Sequence, residues 1–379
     1  MSEASEQPPK PKRRRRTIAI VMFVAHVLGA LSSLNALMRT RTPQGTIAWI
    51  VSLNTLPLVA VPAYWVFGRD KFRGYANERR AFTRSNDEEV ERLRAEVERW
   101  RPPADSPRVG EVLARFPYLT GNAVELLVDG DATFESIFAG IDAARESILV
   151  QFYIIRDDAL GQELKRRLVA RAQEGVRVRL LYDEVGSARL PETYVEELKS
   201  AGVAVSAFHS TRGAFNHTQL NFRNHRKIVV VDSRVAWVGG HNVGDEYLGK
   251  DPTVGPWRDT HMRLEGPAVL GLMVSFAEDW RWATDEAILR ELWHTPEEAS
   301  GDAGVLIVAT GPADRLETAS LMYQLAIQTA QERIWISSPY FVPDQAVMHS
   351  LHLAAMRGVD VRILIPEMPD SKLVYYSAY

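Results

Sequence analysis

A histidine two residues ahead of a lysine, followed at once by an apolar run, is a pairing that can do chemistry at phosphorus. The segment Asn224-His225-Arg226-Lys227-Ile228-Val229-Val230-Val231-Asp232 holds such a pair, and Gly239-Gly240-His241-Asn242 follows it. Residues i and i+2 of an extended strand face the same side, so His225 and Lys227 are expected side by side. A neutral imidazole can attack phosphorus and form a covalent intermediate. An ammonium beside it stabilises charge on phosphoryl oxygens and disfavours protonation of its neighbour. Asn242 can donate a further hydrogen bond to a phosphate, and the glycines allow close backbone approach. Asp232, seven residues from the histidine, faces elsewhere. His209, His217 and His241 lack metal-ligand companions and read as surface or core residues. The chain has no cysteine, which excludes disulfides, thiolate nucleophiles and cysteine-ligated metals.

The surrounding sequence supplies elements to position that pair. Residues 123–128 read as a strand, Asp129-Gly130 as a turn and residues 132–145 as a helix. Residues 147–154 form a continuous apolar run, the pattern of a buried strand. A helix over 160–174, stopped by Gly175, leads to a strand over 176–182, and Ile228 to Val231 is a third strand inside the motif. Strands alternating with helices predict layered α/β packing. Part of this pattern recurs. Residues 144–153 resemble residues 331–340, and Gly175 to Leu181 resembles Gly358 to Leu364. The offset is about 185 residues in both cases, which indicates a duplicated domain.

The N-terminal part is of another kind. Lys10, Lys12 and Arg13 to Arg16 form a basic cluster. Thr17 to Met38 and Thr42 to Gly68 carry no Lys, Arg, Asp or Glu, and each exceeds the roughly 20 residues that a spanning helix needs. The reading is a two-helix transmembrane hairpin, 17–38 and 46–67, after a basic tail, 1–16. Arg69, Lys71, Arg73, Arg79 and Arg80 follow the second run, whereas only Arg39 and Arg41 lie between the two. The positive-inside rule then puts both the N-terminus and the catalytic part on the cytoplasmic side. His26 and Asn35, polar but uncharged, are expected to bond between helices. A charged connector spans 69–115; within it residues 86–100 have helical composition, with Val90, Leu93, Val97 and Trp100 as a packing stripe. The 379 residues are 46% apolar and 25% charged with a net charge of −3, so no basic field points to nucleic acid.

The H-x-K-x4-D pattern with its downstream glycine pair and Asn resembles the phospholipase D superfamily. Residues 41–49, Leu56-Pro57, Phe67-Gly68-Arg69, residues 245–249 and residues 337–344 are similar, more narrowly, to bacterial cardiolipin synthases. That resemblance implies an α/β fold of the phospholipase D type: a layered sheet with flanking helices in a duplicated domain. The first copy is expected over 116–290 and an incomplete second over 291–379. It also implies that Asp232 is structural. Residues 257–267 resemble the family strand that carries the carboxylate orienting the histidine, which makes Asp259 the expected partner of His225. The implied site is thus His225, Lys227, Asp232, Asn242 and Asp259, with no metal and no cofactor. The implied reaction converts two phosphatidylglycerols into cardiolipin and glycerol through a phosphohistidine, in a multi-pass protein of the bacterial inner membrane. The family uses two such motifs and this sequence shows one. The repeat spacing places the second near position 408, so a truncated sequence is expected. Supply of the second motif by a homodimer, hydrolysis by a phospholipase or nuclease, and an inactive membrane-bound fragment are the alternatives.

Overall fold

Helix α1 (Pro11–Arg39) contains the stretch Arg15–Met38, long and apolar enough to cross a bilayer. The computed structural model describes residues 11–39, 43–68, 95–102, 109–208, 223–252, 255–292, 299–311 and 316–366, with a few single positions besides. Lys10, His209, His217 and most of the connector expected over 69–115 lie outside the described residues. The chain divides into two units, one holding the N-terminal helices and the other every remaining element.

The expected second span does not form one helix. Residues 43–67 give α2 (Pro43–Thr55) and α3 (Pro57–Phe67), broken at Leu56 with φ −130° and ψ 53°. Pro57 has no N–H for an intrahelical bond, so the helix stops ahead of it. Helix α3 then folds back beside α2: the rings of Trp49 and Tyr64 meet edge to face at 5.2 Å, which two collinear helices could not allow. Both helices lie along the C-terminal half of α1. Asn54 Nδ2 donates to Ser33 Oγ (2.8 Å), Tyr64 Oη to Asn35 Oδ1 (2.9 Å) and Trp65 Nε1 to Ser32 Oγ (3.1 Å). Asn35 therefore bonds between helices as expected. His26 instead meets the Met22 carbonyl of its own helix at 2.8 Å.

The second unit starts with α4 (Val109–Ala114) and β1 (Leu119–Val128). The expected turn at Asp129-Gly130 is instead the first turn of α5 (Asp129–Ala143). Asp129 has φ +64°, and its N–H donates to the Asp259 carbonyl (3.0 Å), so strand passes to helix at one residue. Next come β2 (Ser147–Phe152), α6 (Ala159–Gln173), β3 (Arg177–Asp183), α7 (Glu192–Ser200) and β4 (Ala204–Phe208). Then follow β5 (Ile228–Val231), β6 (Val235–Gly239), β7 (Thr260–Glu265), α8 (Val269–Thr284) and β8 (Ala303–Val305). Eight strands make one mixed sheet in the order β4-β3-β2-β5-β6-β7-β1-β8. β2, β3 and β4 are parallel to one another, and β5 enters antiparallel to β2 with Ile228 opposite Gln151 and Val231 opposite Ile148.

All six residues of β2 and all four of β5 are buried. Ile137, Ile141, Leu164, Leu180, Val229 and Trp237 are at most 1% exposed and belong to one core cluster. Each such side chain contributes about 1.5–3 kcal/mol, against 0–1 for a surface ion pair, so the apolar core holds the sheet together. Helix α8 is buried along most of its length and packs on β4, β5 and β2.

The two stretches that resemble each other in sequence adopt similar local structure. Helix α9 (Thr318–Thr329), β9 (Arg333–Ser337), α10 (Gln345–Met356) and β10 (Asp360–Leu364) form a second α-β-α-β run whose strands pair in parallel. Arg177 N–H donates to the Glu146 carbonyl (3.1 Å), and Asp360 N–H to that of Glu332 (2.9 Å). Gly175 and Gly358 end the preceding helices at φ +89° and +88°, the left-handed conformation that glycine adopts without strain. β9 is half exposed where β2 is buried, because no strand of the described residues pairs with it on the side where β5 covers β2.

Candidate active site

The register of β5 sets where the motif's ends fall. Its N-terminal end meets the carboxyl end of β2, where α/β sheets commonly bind ligands, and its C-terminal end meets the start of β2. His225 and Lys227 lie just ahead of the strand. The His225 ring stacks on Tyr153, with centroids 3.8 Å apart and planes inclined by 20°. Lys227 Nζ lies 5.5 Å from the same Tyr153 centroid and donates to the His225 carbonyl at 2.6 Å. Imidazole and ammonium therefore both meet one aromatic ring.

The electrostatics favour a neutral imidazole beside a charged amine. Burial holds His225 below its ordinary pKa; Lys227 and Arg223 add to this and Asp183 opposes it. Burial brings Lys227 down to about 8, and the charge of Asp259 resists that fall. Asp259 thus acts electrostatically on Lys227. Among the described residues no hydrogen bond joins Asp259 to His225, the contact expected from sequence. The Asp259 carboxylate instead accepts from Thr260 N–H (2.7 Å) and Trp257 Nε1 (3.3 Å). It also fills the space beside Gly240, where a Cβ would come within 2.5 Å of its Cγ. A second carboxylate at the motif segment is Asp183, 1% exposed, which accepts from Asn224 N–H at 2.9 Å.

Asn242, 5% exposed, is already engaged. Its Oδ1 accepts from Ile154 N–H (3.0 Å) and its Nδ2 donates to Tyr247 Oη (2.9 Å). It ties the segment after β6 to the one after β2. Asp232 lies at the other end of β5, at φ +51°. It accepts from the backbone N–H groups of Arg145 (2.9 Å), Glu146 (2.7 Å) and Ser147 (2.9 Å). Its carboxylate is occupied, and it is separated from His225 by the strand's length.

Four residues that sequence reasoning did not single out complete the arrangement. Asp279 of α8 is fully buried, and its Oδ2 accepts from Gln151 Nε2 (2.7 Å), Asn224 Nδ2 (2.8 Å) and Arg226 Nη1 (2.6 Å). It joins β2 to both neighbours of His225. A carboxylate on the apolar face of a helix is a signal in itself, because burial requires a partner. His261, 1% exposed, has neither ring nitrogen hydrogen-bonded among the described residues. Burial, then His241 and Lys227, push it down to about 3, so it stays neutral. Tyr153 and Asp183 carried no such signal, since each needs the fold to bring it to the motif. No cluster of three or more metal-ligating side chains occurs among the described residues.

An H-x-K-x4-D motif that leads into a buried strand of a mixed α/β sheet is the arrangement of a phospholipase D-like protein. The family model described as cardiolipin synthase, PLD-like domain, matches residues 137–251 and 324–379. Cardiolipin synthase A of Pseudomonas aeruginosa (strain LESB58) is 47% identical over 379 residues, covering 97% of this chain and 76% of that protein. Cardiolipin synthase A of Pseudomonas fluorescens is 47% identical over 372 residues, covering 94% and 75%. A solved phosphatidylserine synthase of Haemophilus influenzae Rd KW20 superposes with a TM-score of 0.47 at 17% identity, covering 69% of this chain and 68% of that one. The chain belongs to the cardiolipin synthase family.

Proposed function

We propose that the chain makes cardiolipin and glycerol from two molecules of phosphatidylglycerol, with His225 as the covalent nucleophile. The observation that carries this reading is the pair of His225 and Lys227 over Tyr153, one held toward its neutral form and the other charged. Membership of the cardiolipin synthase family supports the choice of substrates.

The His225 imidazole attacks the phosphorus of the first lipid. A P–N bond forms, the P–O bond to the headgroup glycerol breaks, and the leaving oxygen takes a proton from a general acid. The resemblance assigns that acid to the histidine of a second motif. The free headgroup hydroxyl of the second lipid then attacks the same phosphorus and gives its proton to that same group, now acting as general base. The P–N bond breaks, cardiolipin leaves and the imidazole is restored. Lys227 spends one N–H on the His225 carbonyl and has two more for the phosphoryl oxygens. Asp259 keeps Lys227 charged. Asn242 and Asp232 hold the frame from behind. Two copies of the α/β unit, over 116–290 and from 291 onward, are the domain division that this mechanism uses.

Lipid substrates suit attachment through α1. Two crossings would return the catalytic unit to the cytoplasmic side, that of the basic N-terminus. The fold-back of α3 on α2 supports a single crossing, which brings the chain after Gly68 out on the opposite side.

Incubating the enzyme in its membranes with phosphatidylglycerol labelled in the headgroup and in the phosphate tests the proposal. Cardiolipin and one free glycerol per cardiolipin are expected. Phosphatidic acid without cardiolipin would make the chain a hydrolase, and no turnover would overturn the proposal.

A further inference from the structure

We propose that Tyr153 is a positioning residue for the nucleophile, a fixed aromatic platform that sets the plane of the His225 ring; this rests on the reading of His225 as nucleophile. The two rings are nearly parallel at 3.8 Å between centroids. The torsion that turns an imidazole about its Cβ–Cγ bond is broad and roughly two-fold, so something must fix it if a ring nitrogen is to point at phosphorus.

The platform is itself held in place. An added Cβ at Gly186 would come within 2.2 Å of the Tyr153 carbonyl oxygen, 2.7 Å of its Cε2 and 2.8 Å of its Cδ2, so the bare Gly186 backbone lies close against Tyr153. The Asp183 carboxylate accepts from Val185 N–H (3.0 Å) and Gly186 N–H (2.9 Å) through Oδ1, and from Asn224 N–H (2.9 Å) through Oδ2. One buried carboxylate therefore locks both the turn that packs against Tyr153 and the segment that carries His225. Ser187 Oγ, donating to the Tyr153 carbonyl (3.2 Å), fixes the backbone between them.

The stacking acts on the reaction as well as on geometry. Forming the P–N bond places positive charge on the imidazole ring, and an aromatic face attracts a cation. The contact is therefore stronger once the bond forms than in the ground state, which raises kcat rather than substrate affinity. In the second repeat Tyr340 holds the place matching Tyr153.

The test uses the full chain in membranes, with phosphate-labelled phosphatidylglycerol. Single-turnover formation of the phosphatidyl-enzyme is followed together with kcat and KM, per folded enzyme. Tyr153→Leu should slow phosphatidyl-enzyme formation and kcat by about 10- to 100-fold, with KM within about twofold. Tyr153→Phe, which keeps the face, should restore the rate to within a few-fold. Tyr153→Met, similar in size to leucine and without an aromatic face, repeats the comparison with Tyr153→Phe if the leucine variant does not fold. Equal rates for the leucine and phenylalanine variants, equal losses in both, or a change in KM alone would each overturn the proposal. A His225→Ala enzyme that still takes up label overturns the underlying reading instead.

Discussion

His225 and Asp232 stand at opposite ends of one four-residue strand, β5. The motif that contains them therefore does two separate jobs. At one end it brings the imidazole and Lys227 to the carboxyl end of β2. At the other, the Asp232 carboxylate gathers three backbone N–H groups at the start of β2. β5 is pinned at both ends, which fixes its register and so the height of His225.

Asp232→Ala should accordingly be a stability mutation. Losing a charged acceptor shared by three donors costs about 1–3 kcal/mol, less where water replaces it. Denaturant unfolding should show that loss, while kcat of the folded fraction stays within a few-fold. A selective collapse of kcat at unchanged stability would place Asp232 in the chemistry.

The pH profile separates two roles for Asp259. His225 must be neutral and Lys227 charged, so kcat/KM should rise through a pH below 6.5 and fall through about 8. Asp259 supports the charge of Lys227 and is not among the causes that move His225. Asp259→Asn should therefore move the basic limb to lower pH and leave the acidic limb in place. Movement of the acidic limb instead would mean that Asp259 works on His225.

Asp279 predicts a larger structural effect. It is fully buried and accepts from three side chains, one of them the Arg226 guanidinium. Removing one partner of a buried ion pair costs about 3–5 kcal/mol because the other charge stays behind. Asp279→Ala should lose that much in denaturant unfolding, and a loss below about 1 kcal/mol would contradict the network.

What could be read from the sequence was local. The buried runs that became β2 and β5, the glycine that ends α6 and the motif itself announce themselves through neighbouring residues. Asp183, Tyr153 and Asp279 did not, because their meaning comes from contacts between distant segments: Asn224 reaches back to Asp183 and forward to Asp279. The fold-back after α2 was hidden for a different reason. Composition marked 42–68 as apolar throughout, and the turn depends on how Leu56 responds to Pro57.

That fold-back has its own test. The chain has no cysteine, so Gln44→Cys and Glu174→Cys are unique reporters. With one crossing, an impermeant maleimide should reach both from the same side of the membrane. Labelling from opposite sides would restore the two-span hairpin.

In this mechanism His225 carries the phosphatidyl group. Rapid quenching of the enzyme with phosphate-labelled phosphatidylglycerol, followed by mapping of the label, tests it directly. An acid-labile label is expected on the peptide containing His225, absent in His225→Ala and present in Asp232→Ala. Label on another residue, or an unchanged yield from His225→Ala, would contradict it.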